Sequence, residues 1–210
     1  MSCHTLAAEA VHEQEIRKSR FLVCAAPVGT PAEALRFIQA RSQAAATHNC
    51  WAYRIGPAYR SNDDGEPGGT AGRPILQAIH SQQCDRVAVL VSRWFGGIKL
   101  GTGGLARAYG GSAAECLRLA GKVEIVEFAR IACHCPYADI AALRARLAQC
   151  GARIEAEDFD ARGVHWTLDV PVAAVSALRA LYADLTRGQG EWQEHDARQD
   201  VLRADSMRGG

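Results

Sequence analysis

The chain has 210 residues, with 24 Lys and Arg against 23 Asp and Glu and a formal net charge of +1 at pH 7. That length allows one large domain or two small ones, and 48% apolar residues is ordinary for a folded globular protein. No apolar run approaches the roughly 20 residues needed to span a bilayer. The first residues, MSCHTLAAEAVHEQEIRKSR, lack the basic start and apolar core of a secretory signal, so the expected location is cytoplasmic, with no membrane partner.

Residues 5–16 and 20–27 read as strands around a polar turn, Arg17-Lys18-Ser19. Thr30-Pro31-Ala32-Glu33 starts a helix: Thr30 is suited to the cap, Pro31 to the first helical position and Glu33 to closing a capping box. Ala34, Leu35, Ile38 and Ala45 give it a partly apolar face. Residues 49–55 alternate as a strand, and 56–73, rich in Gly, Pro, Asp and Asn, read as a long loop. A short helix over 74–83, a buried strand over 86–91 and a longer helix over 104–120 follow.

The second half reads as a strand over 123–133, a helix over 137–150, strands over 153–159 and 164–170 joined by a turn at Asp160-Ala161-Arg162-Gly163, a helix over 172–186 and a last strand over 191–202. This β-α-β-β-α-β order is the ferredoxin-like pattern. The charge divides with it: residues 1–122 carry 14 Lys and Arg against 9 Asp and Glu, a net +5, and the remainder carries −4. The expected organisation is α+β in two domains, 1–121 and 122–204, with a frayed tail over 205–210.

Eight cysteines are spread widely, which in a reducing compartment reads as free, mostly buried thiols. Cys133-His134-Cys135 is their one cluster, without a second Cys/His pair at metal spacing. No metal or cofactor is expected.

Three segments carry possible chemistry. Ser92–Gly111, SRWFGGIKLGTGGLARAYGG, places seven glycines and the cations Arg93, Lys99 and Arg107 between a strand and a helix. Such a loop presents backbone N–H groups and a helix N-terminus to an anion. Gly96, Gly97, Gly101, Gly103 and Gly104, with those cations and Arg73, are the candidate phosphate contacts; the bland reading is a glycine turn on which Trp94 and Phe95 pack. Asp63, Asp64 and Glu66 offer three carboxylates for a hard cation or three solvated turn residues. His48 and Cys50 share a strand face, where a thiol nucleophile with a histidine base stands against a packed thiol and a hydrogen-bonded His.

Together, His48-x-Cys50-x-Ala52-Tyr53, Asp63-Asp64-Gly65-Glu66-Pro67, Gly69-Thr70-Ala71-Gly72-x-Pro74 and Arg93 to Leu105 resemble the signature of the IMPACT/YigZ family. The resemblance implies an N-terminal domain like the second domain of ribosomal protein S-five and a C-terminal module like a ferredoxin-like domain of the translocation elongation factor. It implies contact with RNA or the ribosome, a protein partner in the translation machinery, and regulation of translational initiation as a theme. No catalytic activity is firmly attached to it. The expectation is a translation-associated binding protein; the alternative is an enzyme acting on a nucleotide or phosphorylated substrate at the glycine loop.

Overall fold

The computed structural model describes residues 3–188 and 190–201, and it divides into two compact α+β units, the first ending at Glu124 and the second beginning at Ile125. The tail expected over 205–210 lies outside the described residues.

The first unit contains β1 (Cys3–Leu6), β2 (Ala10–Ile16), β3 (Ser19–Pro27), α1 (Pro31–Arg41), β4 (His48–Ile55), β5 (Ala58–Asn62), α2 (Gly72–Ser81), β6 (Val87–Trp94) and α3 (Thr102–Leu119). Its sheet runs β2-β3-β6-β4-β5, with β6 antiparallel to both neighbours. Seven of the eight β6 residues are buried, as a central strand covered on both faces requires. On one face Phe21, Val23, Cys50, Ala52, Val89 and Val91 pack under α2 and α3. On the other, Tyr53, Ala88 and Leu90 pack with Ala34 and Ile38 of α1. Helix α1 starts as expected: Thr30 Oγ1 accepts the Glu33 amide, and Glu33 reaches back to the Gly29 amide at 2.8 Å. Leu35 stays exposed and Ala45 lies beyond the helix, so that apolar face is narrower than read.

Two strand readings change. The single strand over 5–16 is broken into β1 and β2, and the expected loop over 56–73 contains β5. Strand β5 is exposed at every position, so it lacks the alternation that reveals a half-buried strand. It is held by pairing with β4 from Trp51↔Asn62 to Ile55↔Ala58.

The second unit holds most of β7 (Lys122–Pro136), then α4 (Ile140–Gln149), β8 (Arg153–Phe159), β9 (Gly163–Pro171), α5 (Val172–Leu185) and β10 (Trp192–Val201). The strands lie in the order β10-β7-β9-β8, the ferredoxin-like arrangement, all antiparallel. Ile131, Cys133, Cys135, Trp166 and Leu168 meet Leu143 and Leu147 of α4 and Leu178 and Tyr182 of α5. All eight cysteines are free, and burial pushes the Cys133 and Cys135 thiols up to about 12 and about 11.

Candidate functional site

The three sequence segments converge in the first unit, and Glu66 is where they meet. Its Oε1 accepts from Arg93 Nη1 at 2.6 Å and from the Tyr109 hydroxyl at 2.7 Å, with His48 Nε2 at 3.9 Å. Glu66 is 8% exposed and Arg93 5%. Two charges withdrawn from water are tolerated only when closely paired and further hydrogen-bonded. Arg93 meets both conditions: Nη2 donates to Ser19 Oγ at 3.3 Å, and the guanidinium lies over the Phe21 and Phe95 rings. Arg93 is therefore neutralised inside the unit and does not stand with the open cations, which corrects its expected place as a phosphate contact.

His48 and Cys50 do not face each other as base and nucleophile. The Cys50 thiol donates to the Asp63 carbonyl at 3.0 Å, and His48 Nδ1 donates to the Asp64 carbonyl at 2.7 Å. Both side chains fasten the backbone of the 63–72 loop to β4. Burial pushes the Cys50 thiol up to about 12, so thiolate is scarce at neutral pH. Burial likewise raises the Tyr109 hydroxyl far above the ordinary phenol value, which keeps it a donor to Glu66.

The three carboxylates do not gather round one ion. Asp63 accepts from the Gly69, Ala71 and Gly72 amides at 2.7, 3.0 and 2.8 Å, and so caps the start of α2 from a distance. Burial works against its ionisation, but the amides of Gly69, Gly72 and Ala71, with Arg73 nearby, outweigh it and hold the carboxyl below its usual value. Asp64 Oδ2 accepts the Asn49 amide at 2.5 Å, and Glu66 points inward. Thr70 closes a turn through Oγ1 to the Pro67 carbonyl at 2.6 Å. Tyr53 lies on the opposite sheet face, packed with α1, and is not brought to the cluster.

The glycine loop itself stays open. Gly96 is pressed against the β2–β3 turn: its amide donates to Ser19 Oγ at 3.2 Å, and a Cβ there would fall on the Lys18 carbonyl. Gly101, at φ +71°, caps α3 without a side chain, so the amides of Thr102, Gly103 and Gly104 have no intrahelical acceptor. Beside this turn lies a cavity of about 230 Å³ lined by Ile16, Arg17, Leu100, Gly104, Arg107 and Ala108. The Arg107 guanidinium folds back toward Gly103, and Arg17, Arg73, Lys99 and Arg107 are all exposed and without an ion pair among the described residues. Arg73 stands apart on α2, where it lines a groove with Leu76, Gln77, His80 and Ser81. Gly97 adjoins the exposed side chains of Phe95, Ile98 and Lys99. Arg17 was missed in the sequence because it read only as part of a polar turn; its neighbour Lys18 in a two-residue hairpin was the available signal.

Fold and site define a two-domain α+β protein: an N-terminal unit with an open, cation-flanked glycine loop over a buried Glu–Arg pair, and a ferredoxin-like C-terminal unit. Residues 17–117 match the family described as the Impact N-terminal domain, and residues 133–189 match one described as a domain of unknown function, DUF1949. The chain belongs to the IMPACT family. It is 47% identical over 177 residues to "IMPACT family member in pol 5'region" of Thermus thermophilus, a match covering 83% of this chain and 97% of that protein. It is 34% identical over 182 residues to the Escherichia coli IMPACT family member YigZ, covering 83% of this chain and 89% of the other. A solved structure described as a hypothetical protein superposes with a TM-score of 0.59 at 31% identity, covering 93% of this chain and 98% of that one.

Proposed function

We propose that this protein is a cytoplasmic, translation-associated RNA- or ribosome-binding protein whose phosphate contacts lie on the N-terminal unit. The observation that carries the reading is the pair of arginines, Arg17 and Arg107, without an ion pair among the described residues, flanking the first turn of α3, which has no side-chain cap, and the cavity beside it. A helix N-terminus with free amides and positive dipole favours a phosphate oxygen. Lys99, exposed on the same glycine loop, adds charge to it, and the exposed ring of Phe95 offers a stacking face for an unpaired base. Contacts of this kind bind phosphate with little regard to sequence and weaken as salt rises. The family's translational theme supports RNA over other polyanions.

Ribosome co-sedimentation and binding to single-stranded RNA at graded salt test the reading. Binding that weakens with salt, and weakens further in Lys99→Ala/Arg107→Ala, is expected. Unchanged binding by that variant sinks it. Stabilisation by ATP and magnesium in a thermal-shift experiment, without RNA binding, would favour an enzyme on a phosphorylated substrate instead.

A further inference from the structure

The second unit brings His134 together with two side chains distant from it in the sequence, Asp160 and His165. Antiparallel pairing of β7 and β9 sets His134 directly opposite His165, with ring centroids 4.6 Å apart. Strand alternation sends Cys133 and Cys135 into the core and leaves the His134 imidazole on the other face. Asp160 enters from the β8–β9 turn, where its Oδ1 accepts the Arg162 and Gly163 amides at 2.7 and 2.8 Å. Those bonds fix the carboxylate in place. Its Oδ2 lies 3.1 Å from His165 Nε2, and its Oδ1 lies 3.5 Å from His134 Nε2.

We propose that His134, Asp160 and His165 form a binding site for a divalent transition-metal ion, with zinc the best match. The three donor atoms lie within 4.8 Å of one another. Around an ion with bonds of about 2.0–2.1 Å, neighbouring ligand atoms are roughly 3.0–3.4 Å apart; the two separations above, one to each Asp160 oxygen, come near this, and small side-chain adjustments draw the set around one ion. The buried His134 Nε2 makes no well-formed hydrogen bond among the described residues, its nearby acceptor being Asp160 Oδ1 at 3.5 Å, and a metal ion satisfies it. A cavity of about 150 Å³ adjoins both imidazoles and is bounded by Glu191 and Gln193. Two imidazoles and one carboxylate are a borderline donor set suited to zinc, not to calcium or magnesium, which prefer all-oxygen shells. Three protein donors, one fewer than a closed structural zinc site has, leave room for a water or small anion on the ion.

The test uses full-length protein stripped with chelator. Isothermal titration with zinc reads stoichiometry and affinity, and cobalt substitution reads ligand type by absorbance. One ion per chain is expected, with ligand-field bands and no thiolate charge-transfer band. His165→Ala and Asp160→Asn are each expected to weaken zinc binding about tenfold or more. His165 is half exposed, so its replacement leaves the core packing intact. Metal-free urea midpoints of both variants separate loss of ligands from loss of fold. Absence of stoichiometric binding by the unaltered protein, a thiolate band, or undiminished affinity in either variant overturns the site.

Discussion

Glu66 accepts the Arg93 guanidinium at 2.6 Å across 27 positions of chain, in the interior of the N-terminal unit. This one bond ties the acidic loop to the central strand, and through Tyr109 to α3. The glycine loop is thereby suspended between two elements anchored to the same carboxylate oxygen.

Removing one partner leaves the other charged and buried. Glu66→Ala is expected to cost about 3–5 kcal/mol, because Arg93 then lacks its counter-charge in the core. Glu66→Leu/Arg93→Met, which removes both charges, is expected to recover much of that loss. Urea midpoints of the single and double variants measure the difference; equal losses would show that the pair's charge is not what matters.

Asp63 gives a pH-dependent contribution of known sign. Its carboxyl is held below the usual carboxylate value in the folded protein. The stability it supplies is present above the unfolded value of about 3.9 and is lost as pH falls below it. Asp63→Asn keeps the size but weakens the cap on α2, and is expected to cost about 1 kcal/mol at pH 7. The gap between the two proteins, read by urea unfolding at pH 7 and pH 3, is expected to narrow at the lower pH.

Local signals in the chain were strong where neighbours in sequence decide the structure. Thr30 and Glu33 announced α1 because both cap bonds span four residues or fewer. The alternation and helical spacing of the second half announced the ferredoxin-like order. Arg93 misled for the opposite reason. Beside glycines it looks like an anion ligand, and only the fold shows that Glu66 has already claimed it. Asp63 looked like a metal carboxylate, yet its partners are amides six to nine residues on, fixed by the course of the loop. The His134–His165 pairing depends on strand register, which periodicity does not fix between strands far apart in the chain.

Gly96 separates a steric requirement from mere flexibility. A methyl group there would strike the Lys18 carbonyl, so Gly96→Ala must push the β2–β3 turn away from the loop. A loss of about 1–3 kcal/mol is expected, as for other overpacked sites. The displaced turn carries Arg17, so RNA affinity is expected to fall as well. A Gly111→Ala control, inside α3 where a Cβ meets nothing within 4 Å, is expected to gain about 0.5–1 kcal/mol from helix propensity and to leave RNA affinity unchanged. A Gly96→Ala protein with unaltered stability would mean that the turn and loop are not packed as described.

The salt dependence of RNA binding distinguishes phosphate contacts from general charge attraction. Each phosphate neutralised on a single strand contributes about 0.7 to the slope of log affinity against log salt. Arg17 and Arg107 border one cavity and have no acidic partner among the described residues. Arg17→Asn/Arg107→Ala is therefore expected to flatten the slope by about 1.4 if each arginine meets a phosphate. Asn is the suitable replacement at position 17, where φ is +48°, a conformation Asn tolerates better than Ala. Arg60→Ala is the control, with one charge removed instead of two: that guanidinium lies over Trp51, away from the glycine loop in sequence and on the edge strand β5. Binding measured between 50 and 200 mM salt, roughly the range over which such contacts change affinity most visibly, reads the slopes directly. A slope that flattens by about 0.7 in this single-charge control, half the change in the double variant, would assign the binding to net charge alone, and one that flattens only in the Arg17/Arg107 variant would assign it to the first turn of α3.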